Sequence, residues 1–459
     1  MSIDRARVDA LAQRRLGPTD KGWPPALWGR TVSEIRAAGL TISDFPTPLV
    51  TLSRVALDVN LAAMSGWSAD RGLHLAPHGK TTMAPQLWRD QLDAGAWGIT
   101  VANFGQLAVA RDYGVARVVV ANALLSRPGL HWLAADLAAH PEVRVLTWAD
   151  SLAVVGIMAS ALADADVDPR VHPIDVLVEL GGPGGRTGVR TIAEGLEIAR
   201  AVTAAPGLRL AGVTGYEGAL AHGSDPDSLE TLRRYLADLA HLHELIADAG
   251  LYAGLPSGTP PLVSAGGSAY PDLVAEVLSP LGSDGTVTVL LRSGAYLTHD
   301  DGYYRDISPL GRRPRTDGHP LQAALHAWVR VSSAPEPGLV IIDAGKRDVP
   351  YDLGLPEVQR RRGRSPGAPA TPVEGAEVTA LNDQHGFVRF DRGAGSAAPS
   401  VVGSADMPHV DLVDLVVGDE LRLGLSHPCT TFDKWQLLPV VADADAADPV
   451  VVDAIRTFF

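Results

Sequence analysis

From residue 73 onward, short runs rich in valine, leucine and isoleucine alternate with longer amphipathic stretches, and this alternation constrains the fold more than any other feature. The runs are LHLAPHGK (73–80), GITVAN (98–103), RVVVANAL (117–124), VRVLTW (143–148), DVLVELG (175–181), LAGVTGYEG (210–218), LVSAGG (262–267) and TVTVLLRSG (286–294). Each is almost continuously apolar, as a strand covered on both faces must be, and lacks the polar alternation of a one-faced sheet. The intervals have helical spacing. MAPQLWRDQLDAGAWG has an early proline, apolar residues at 83, 87, 88 and 92, and Gly95 near its end. The stretch 227–250 places leucine at 229, 232, 236, 239, 242 and 245. Eight strand-helix units over roughly 250 residues give a (β/α)8 barrel. An open doubly wound sheet is the alternative, weakened because no G-x-G-x-x-G follows the first run.

After about residue 320 the texture changes. AALHAWVRVSS, GLVIIDAG, AEVTALNDQHGFVRF, DELRLGLSH and KWQLLPVVA are short alternating runs separated by turn residues, which predicts antiparallel β structure. The expected architecture is therefore an α/β barrel over 45–320 followed by a mostly antiparallel β domain. That domain takes residues 321–459 together with 1–44, a polar helical extension. A chain of 459 residues is too long for one ordinary core, which agrees with two units. The basic run at 360–364 sits among proline and glycine and reads as a solvated, mobile loop, not a binding patch.

A net charge of −14 argues against nucleic acid as the main partner. No apolar run approaches the roughly 20 residues needed to span a bilayer, and the first segment lacks the apolar stretch of a signal peptide. The expectation is a cytoplasmic protein with no membrane partner. Cys429 is the single cysteine, so no intramolecular disulfide can form.

Only four of the 39 basic residues are lysine, and one of them, Lys80, ends the first barrel strand. A snorkelling side chain is the plain reading; the chemical one is a need for a primary amine that can lose its proton, which guanidinium cannot do. The other strand ends bear on the choice. SAGGSAYPD supplies Gly266, Gly267 and Ser268, and RSGAY supplies Gly294 and Tyr296. The loops after strands seven and eight are the usual phosphate cradle of this fold, with backbone N–H groups as donors. Facing a strand-end lysine, they suggest a phosphorylated aldehyde held as a Schiff base. Arg186 in GGPGGRTGV would point into the barrel mouth or stand exposed in its loop. Tyr216 in GYEG can pack on a flat ring. In an extended SHPCTT segment, His427 and Cys429 would point to one side and offer an imidazole and a thiolate to a metal ion, zinc above harder ions. A buried structural thiol beside a hydrogen-bonded histidine is the other reading.

APHGKTTM, GGRTGV, GYEG, VSAGGS, RSGAY, IIDAG, NDQHG and LSHPCTT, in this order, resemble the D-serine dehydratase and D-threonine aldolase family within the alanine-racemase-like pyridoxal-phosphate enzymes. The resemblance covers about residues 46 to 440. It implies a barrel that binds pyridoxal phosphate, a following β domain, a homodimer and a D-amino acid substrate. Lys80 would hold the cofactor, with Arg186 at the pyridine nitrogen and Gly266, Gly267, Ser268, Gly294 and Tyr296 at the phosphate. His427 and Cys429 would bind zinc. His385 and Asp343 match positions near the family's active site without a clear role. Ala76 and Thr82 stand where the family often has arginine and histidine, and Gln384 where an acidic residue is common. The implied reaction is dehydration of D-serine or D-threonine to a keto acid and ammonia. Retro-aldol cleavage, racemisation and non-catalytic cofactor binding are the alternatives.

Overall fold

The computed structural model describes residues 3–365, 368–390 and 414–459. Barrel strands β2 (His74–Leu75), β3 (Ile99–Val101), β4 (Arg117–Val120), β5 (Arg144–Ala149), β6 (Ile174–Leu180), β7 (Leu208–Gly215), β8 (Leu262–Ala265) and β9 (Thr288–Leu291) follow β1 (Leu49–Ser53) in the chain. β2 to β9 form one parallel sheet, with β9 returning to pair with β2. Trp97 N–H donates to the Leu75 carbonyl at 2.6 Å and Thr100 N–H to that of Pro77 at 2.8 Å, closing the barrel between β2 and β3. All eight apolar runs are strands. Helix Pro226–Asp248 starts on Asp225, whose side chain accepts from Ser228 N, and buries Leu232, Leu236, Leu239 and Leu242 against the barrel.

The first run is shorter than its sequence suggests. β2 stops at Leu75, and Gly79–Thr81 form a 3-10 turn that carries Lys80. Pro77, with no N–H to give a ladder, marks the break.

The remaining strands are β10 (Leu325–Glu336), β11 (Leu339–Ile342), β12 (Glu357–Arg362), β13 (Thr371–Pro372), β14 (Ala376–Leu381), β15 (Gly386–Phe390), β16 (Glu420–Gly424), β17 (Leu437–Val441) and β18 (Val451–Arg456). Strands β10, β11, β15, β14, β12 and β16 pair in that order, and β16 returns to β10, so they close a second, antiparallel barrel. β1 lies within the stretch expected for the first barrel, yet pairs with β10 and β17 in this second sheet. Its five residues are all buried, so locally it gives the same signal as a barrel strand. The N-terminal segment spans both units. Asp4 N–H bonds to the Tyr113 carbonyl on the barrel, and Arg36 grips Asp453 on β18 at 2.9 and 3.0 Å.

The basic run 360–364 is not the mobile loop that its composition predicts. Arg360 to Arg362 end strand β12, and Arg362 is 4% exposed. Arg362 pairs with Glu420 on β16 and with Asp448 at 2.9 Å, while Arg360 meets Asp445 at 3.0 Å. Each charge has a carboxylate opposite it, which is what lets arginines sit in a packed strand. Among the described residues, no helix is long and apolar enough to cross a membrane.

Candidate active site

The turn that presents Lys80 is built tightly. A side chain at Gly79 would come within 2.6 Å of both Ile99 and Trp88, and the Trp88 indole donates to the Gly79 carbonyl at 3.2 Å. With its neighbour pinned, Lys80 projects into a cavity of about 170 Å3 at the C-terminal mouth of the barrel. Of the residues expected there, Lys80, Arg186, Tyr216, Gly267, Ser268, Gly294, His427 and Cys429 all line it. Gly266 and Tyr296 are not on its wall. Gly266 takes a left-handed φ of 104°, and the Tyr296 hydroxyl is occupied by Gln91 at 3.1 Å behind the loop. Asp343 bonds to Thr47 and the Arg330 amide, and His385 stands exposed in the turn between β14 and β15; neither lines the cavity. The Gln384 amide bonds to Asp348 at 3.1 Å.

Several residues of the wall are not among those expected from the sequence. Arg292, 1% exposed, bonds to the Thr214 hydroxyl at 2.9 Å and the Gly215 carbonyl at 2.6 Å. Its guanidinium lies 5.0 Å from the Trp148 ring centre. Its signal was an arginine inside the apolar run TVTVLLRSG. Three buried polar atoms on the wall have no partner: His78 Nδ1, Trp148 Nε1 and Arg292 Nε. Beneath the glycine loop, Glu217 accepts from the Gly267 amide at 3.0 Å, and burial pushes its carboxyl toward the protonated form.

Burial lowers the Lys80 ammonium below the ordinary lysine value. Cys429 opposes this, and Arg186 and Arg292 add to it. His78 is held neutral, first by burial and then by Lys80 and both arginines. Tyr216 is pushed up to about 12 by burial, and Arg186 stacks over its ring at 5.2 Å.

His427 and Cys429 come together by a route other than an extended segment. His427 has φ 60°, Pro428 is helical, and Cys429 opens the short helix Cys429–Phe432. The left-handed residue is held by its own N–H, which donates to Asp300 at 3.0 Å; that carboxylate also accepts from the amides of Gly302, Tyr304 and Arg305. The imidazole bonds to the thiol, and its Nδ1 meets Asp352 at 2.6 Å. Burial is the largest single effect and opposes charge on both groups, but it is outweighed by several contacts together: Cys429 and Asp352 at the imidazole, and His427, Thr81 and Lys80 at the thiol. His427 is raised to about 9 and the Cys429 thiol is lowered. Thr81 Oγ1 is 3.3 Å from the same sulfur, so the thiol stands beside the Lys80 turn.

The family model "Putative serine dehydratase domain" matches residues 324–441. A D-threonine aldolase from Arthrobacter sp. is 26% identical over 88% of this chain and 90% of its own. The solved D-threonine aldolase from Filomicrobium marinum superposes with a TM-score of 0.68 at 23% identity, covering 90% of this chain and 97% of that one. D-threo-3-hydroxyaspartate dehydratase from Delftia sp. HT23 gives 0.65 at 21% identity, covering 91% and 99%. The chain is similar to D-threonine aldolase over most of its length, and its C-terminal part matches the serine dehydratase domain. These relatives, by name, are lyases of small D-hydroxy amino acids.

The cavity fits the cofactor that the resemblance implies. Its wall carries unpartnered buried polar atoms, which are costly unless a ligand or water meets them. A side chain at Gly267 would come within 2.8 Å of the Tyr216 ring, and one at Gly294 within 2.6 Å of the His78 backbone, so both positions must stay bare. An amine with a lowered pKa faces this cradle. The metal case is narrower. His427 and Cys429 are soft donors, and Asp352 steadies the imidazole from behind, as carboxylates do behind zinc-bound histidines. Among the described residues, no group of three or more His, Cys, Asp or Glu side chains is placed to hold an ion.

Proposed function

We propose that the protein is a pyridoxal-phosphate-dependent lyase that converts a D-β-hydroxy amino acid to a 2-keto acid and ammonia. The observation that carries this reading is the meeting of the Lys80 amine and the His427–Cys429 pair in one small cavity. An amine for the α-carbon and a soft donor pair for the β-oxygen are the two functions that such a reaction divides between the ends of its substrate.

Lys80, Tyr216, Gly267, Ser268 and Gly294 would hold the cofactor, with Gly266 shaping the loop and Tyr296 bracing it from behind. When bound, pyridoxal phosphate draws electrons from the substrate's α-carbon and makes its proton acidic. The neutral form of Lys80, favoured by burial, can accept that proton. Arg186 was expected at the ring nitrogen. The exposed position of Arg186 over Tyr216 and the unpartnered Nε of fully buried Arg292 support Arg292 in that role instead. A zinc ion on His427 and Cys429 would supply Lewis acidity to the β-hydroxyl. The solved dehydratase includes histidine and cysteine mutants two positions apart, one of them in a metal-free form, which is the spacing of His427 and Cys429.

A second reading, retro-aldol cleavage to glycine and an aldehyde, is favoured by the length and identity of the match to the Arthrobacter aldolase. Incubation with D-serine, D-threonine and D-threo-3-hydroxyaspartate separates the two. Ammonia with a keto acid supports dehydration, glycine with an aldehyde supports the aldolase, and neither product from any substrate refutes both. The protein is further proposed to act as a cytoplasmic homodimer. Tyr351, Leu353 and Leu355, each at least 37% exposed on the loop that carries Asp352, support a partner covering the mouth.

A further inference from the structure

A second polar cavity, of about 380 Å3, lies at the opposite end of the barrel, where β4 to β7 begin. Strand register sets Arg117 beside Arg144 and Asp175 beside Arg209. Asp175, 1% exposed, accepts from Arg144 Nε at 2.5 Å and Arg209 Nε at 2.6 Å. Both contacts use Nε, so the Nη groups of two arginines are left for something else. Arg144 Nη2 is buried with no partner. Among the described residues Arg117 has no carboxylate partner, and its guanidinium lies 5.2 Å over the Trp97 ring. The carboxylate that lines the cavity, Glu142, is exposed.

Three arginines thus line one cavity, and the one buried carboxylate beside them is committed to two of them, in a protein whose net charge is −14. Closing the barrel floor needs one arginine for Asp175, not three. Like charges gathered in a cavity with unspent N–H groups are costly without an anion between them. The guanidinium fork suits phosphate oxygens, and the volume lies within the roughly 300–1,000 Å3 of small-molecule sites. We infer that this cavity binds the phosphate groups of a small phosphorylated metabolite. Chemistry in such barrels belongs to the other end, so binding here regulates or stabilises the enzyme and does not depend on how the Lys80 cavity is read.

Calorimetric titration of the full chain with sodium pyrophosphate, and separately with ADP, tests the inference, with ionic strength held constant by chloride. One saturable site per chain is expected. Arg117→Ala should weaken it about tenfold or more, the loss of a charged hydrogen bond. Ser268→Ala, at the opposite mouth, should leave it unchanged. Arg117 is exposed and unpaired, so its loss leaves the fold standing; Arg117→Lys, which keeps the charge but not the fork, is a second variant expected to bind with intermediate strength. Pyrophosphate should also raise the thermal midpoint above that in chloride. No saturable heat with either probe overturns the inference. Binding that survives Arg117→Ala but is lost in Ser268→Ala also overturns it, and places the phosphate at the Lys80 cavity.

Discussion

Lys80 is fixed by its neighbour more than by its strand. Because Gly79 has no room for a side chain, the turn has one shape and the amine one direction. Lys80→Ala should abolish the visible absorbance of the bound cofactor and all turnover while the protein still folds; an unchanged spectrum would mean that the amine is not the attachment point. Asp300 is the residue whose role no motif announced. Its carboxylate fixes the strained His427 backbone and the Tyr304 amide at once, although the two belong to different units of the fold. Outer-shell partners of this kind typically hold about 10–100-fold in activity or metal affinity. Asp300→Ala should therefore lower kcat/KM of the proposed reaction by about that factor and weaken binding of the zinc proposed on His427 and Cys429, whereas an effect on stability alone would make it merely structural. The lysine, the glycines and the His427 and Cys429 pair were legible because strand ends and short motifs mark them. Arg292 was not, since an arginine at the end of an apolar run looks like the start of a loop until Thr214 and Gly215 are seen to surround it. Ala76 is similar: where the resemblance implies arginine, it packs inside the barrel in one cluster with Trp148, a tertiary fact that no local pattern carries.

At the scale of elements, the barrel strands were legible because burial on both faces leaves a continuous apolar run. Strand β12 was hidden, because its charges are compensated by residues far away in sequence. Glu420 illustrates the cost of that arrangement. It faces Arg362 and Arg330 on the two strands that flank β16. Removing one partner of a buried pair leaves the other charge uncompensated, at about 3–5 kcal/mol. Glu420→Ala should lower unfolding free energy in urea by less than that, because Arg362 keeps Asp448, and Arg362→Ala should cost less once Glu420 is gone than it does alone. Additive losses would show that the two side chains act independently. The SHPCTT segment failed for a related reason. Its i, i+2 spacing did bring the imidazole and thiol together, but through a left-handed residue and a helical turn that only the Asp300 contact makes affordable.

The whole molecule joins its two barrels through buried groups that must remain uncharged. His326 on β10 is pushed down to about 3, first by burial and then by Arg422, and His299 to about 4 by burial and Arg305. Both fold as neutral imidazoles. The unfolded chain takes up their protons near the ordinary histidine value of about 6.5. Each therefore stabilises the fold fully above that pH, and the contribution drains away as pH falls toward the folded values. Asp301, 3.6 Å from His326, is pushed the other way, up to about 6 by burial, so acid relieves the cost of its charge. Among these three groups its displacement is the smallest, so together they favour the fold less as pH falls. Stability measured by urea midpoint should hold near neutrality and decline steadily from about pH 6.5 to pH 4. His326→Gln, which keeps a polar side chain but cannot titrate, should lower stability at pH 7 yet flatten the decline. A slope as steep as that of the unmodified protein would place the acid sensitivity elsewhere than at this junction.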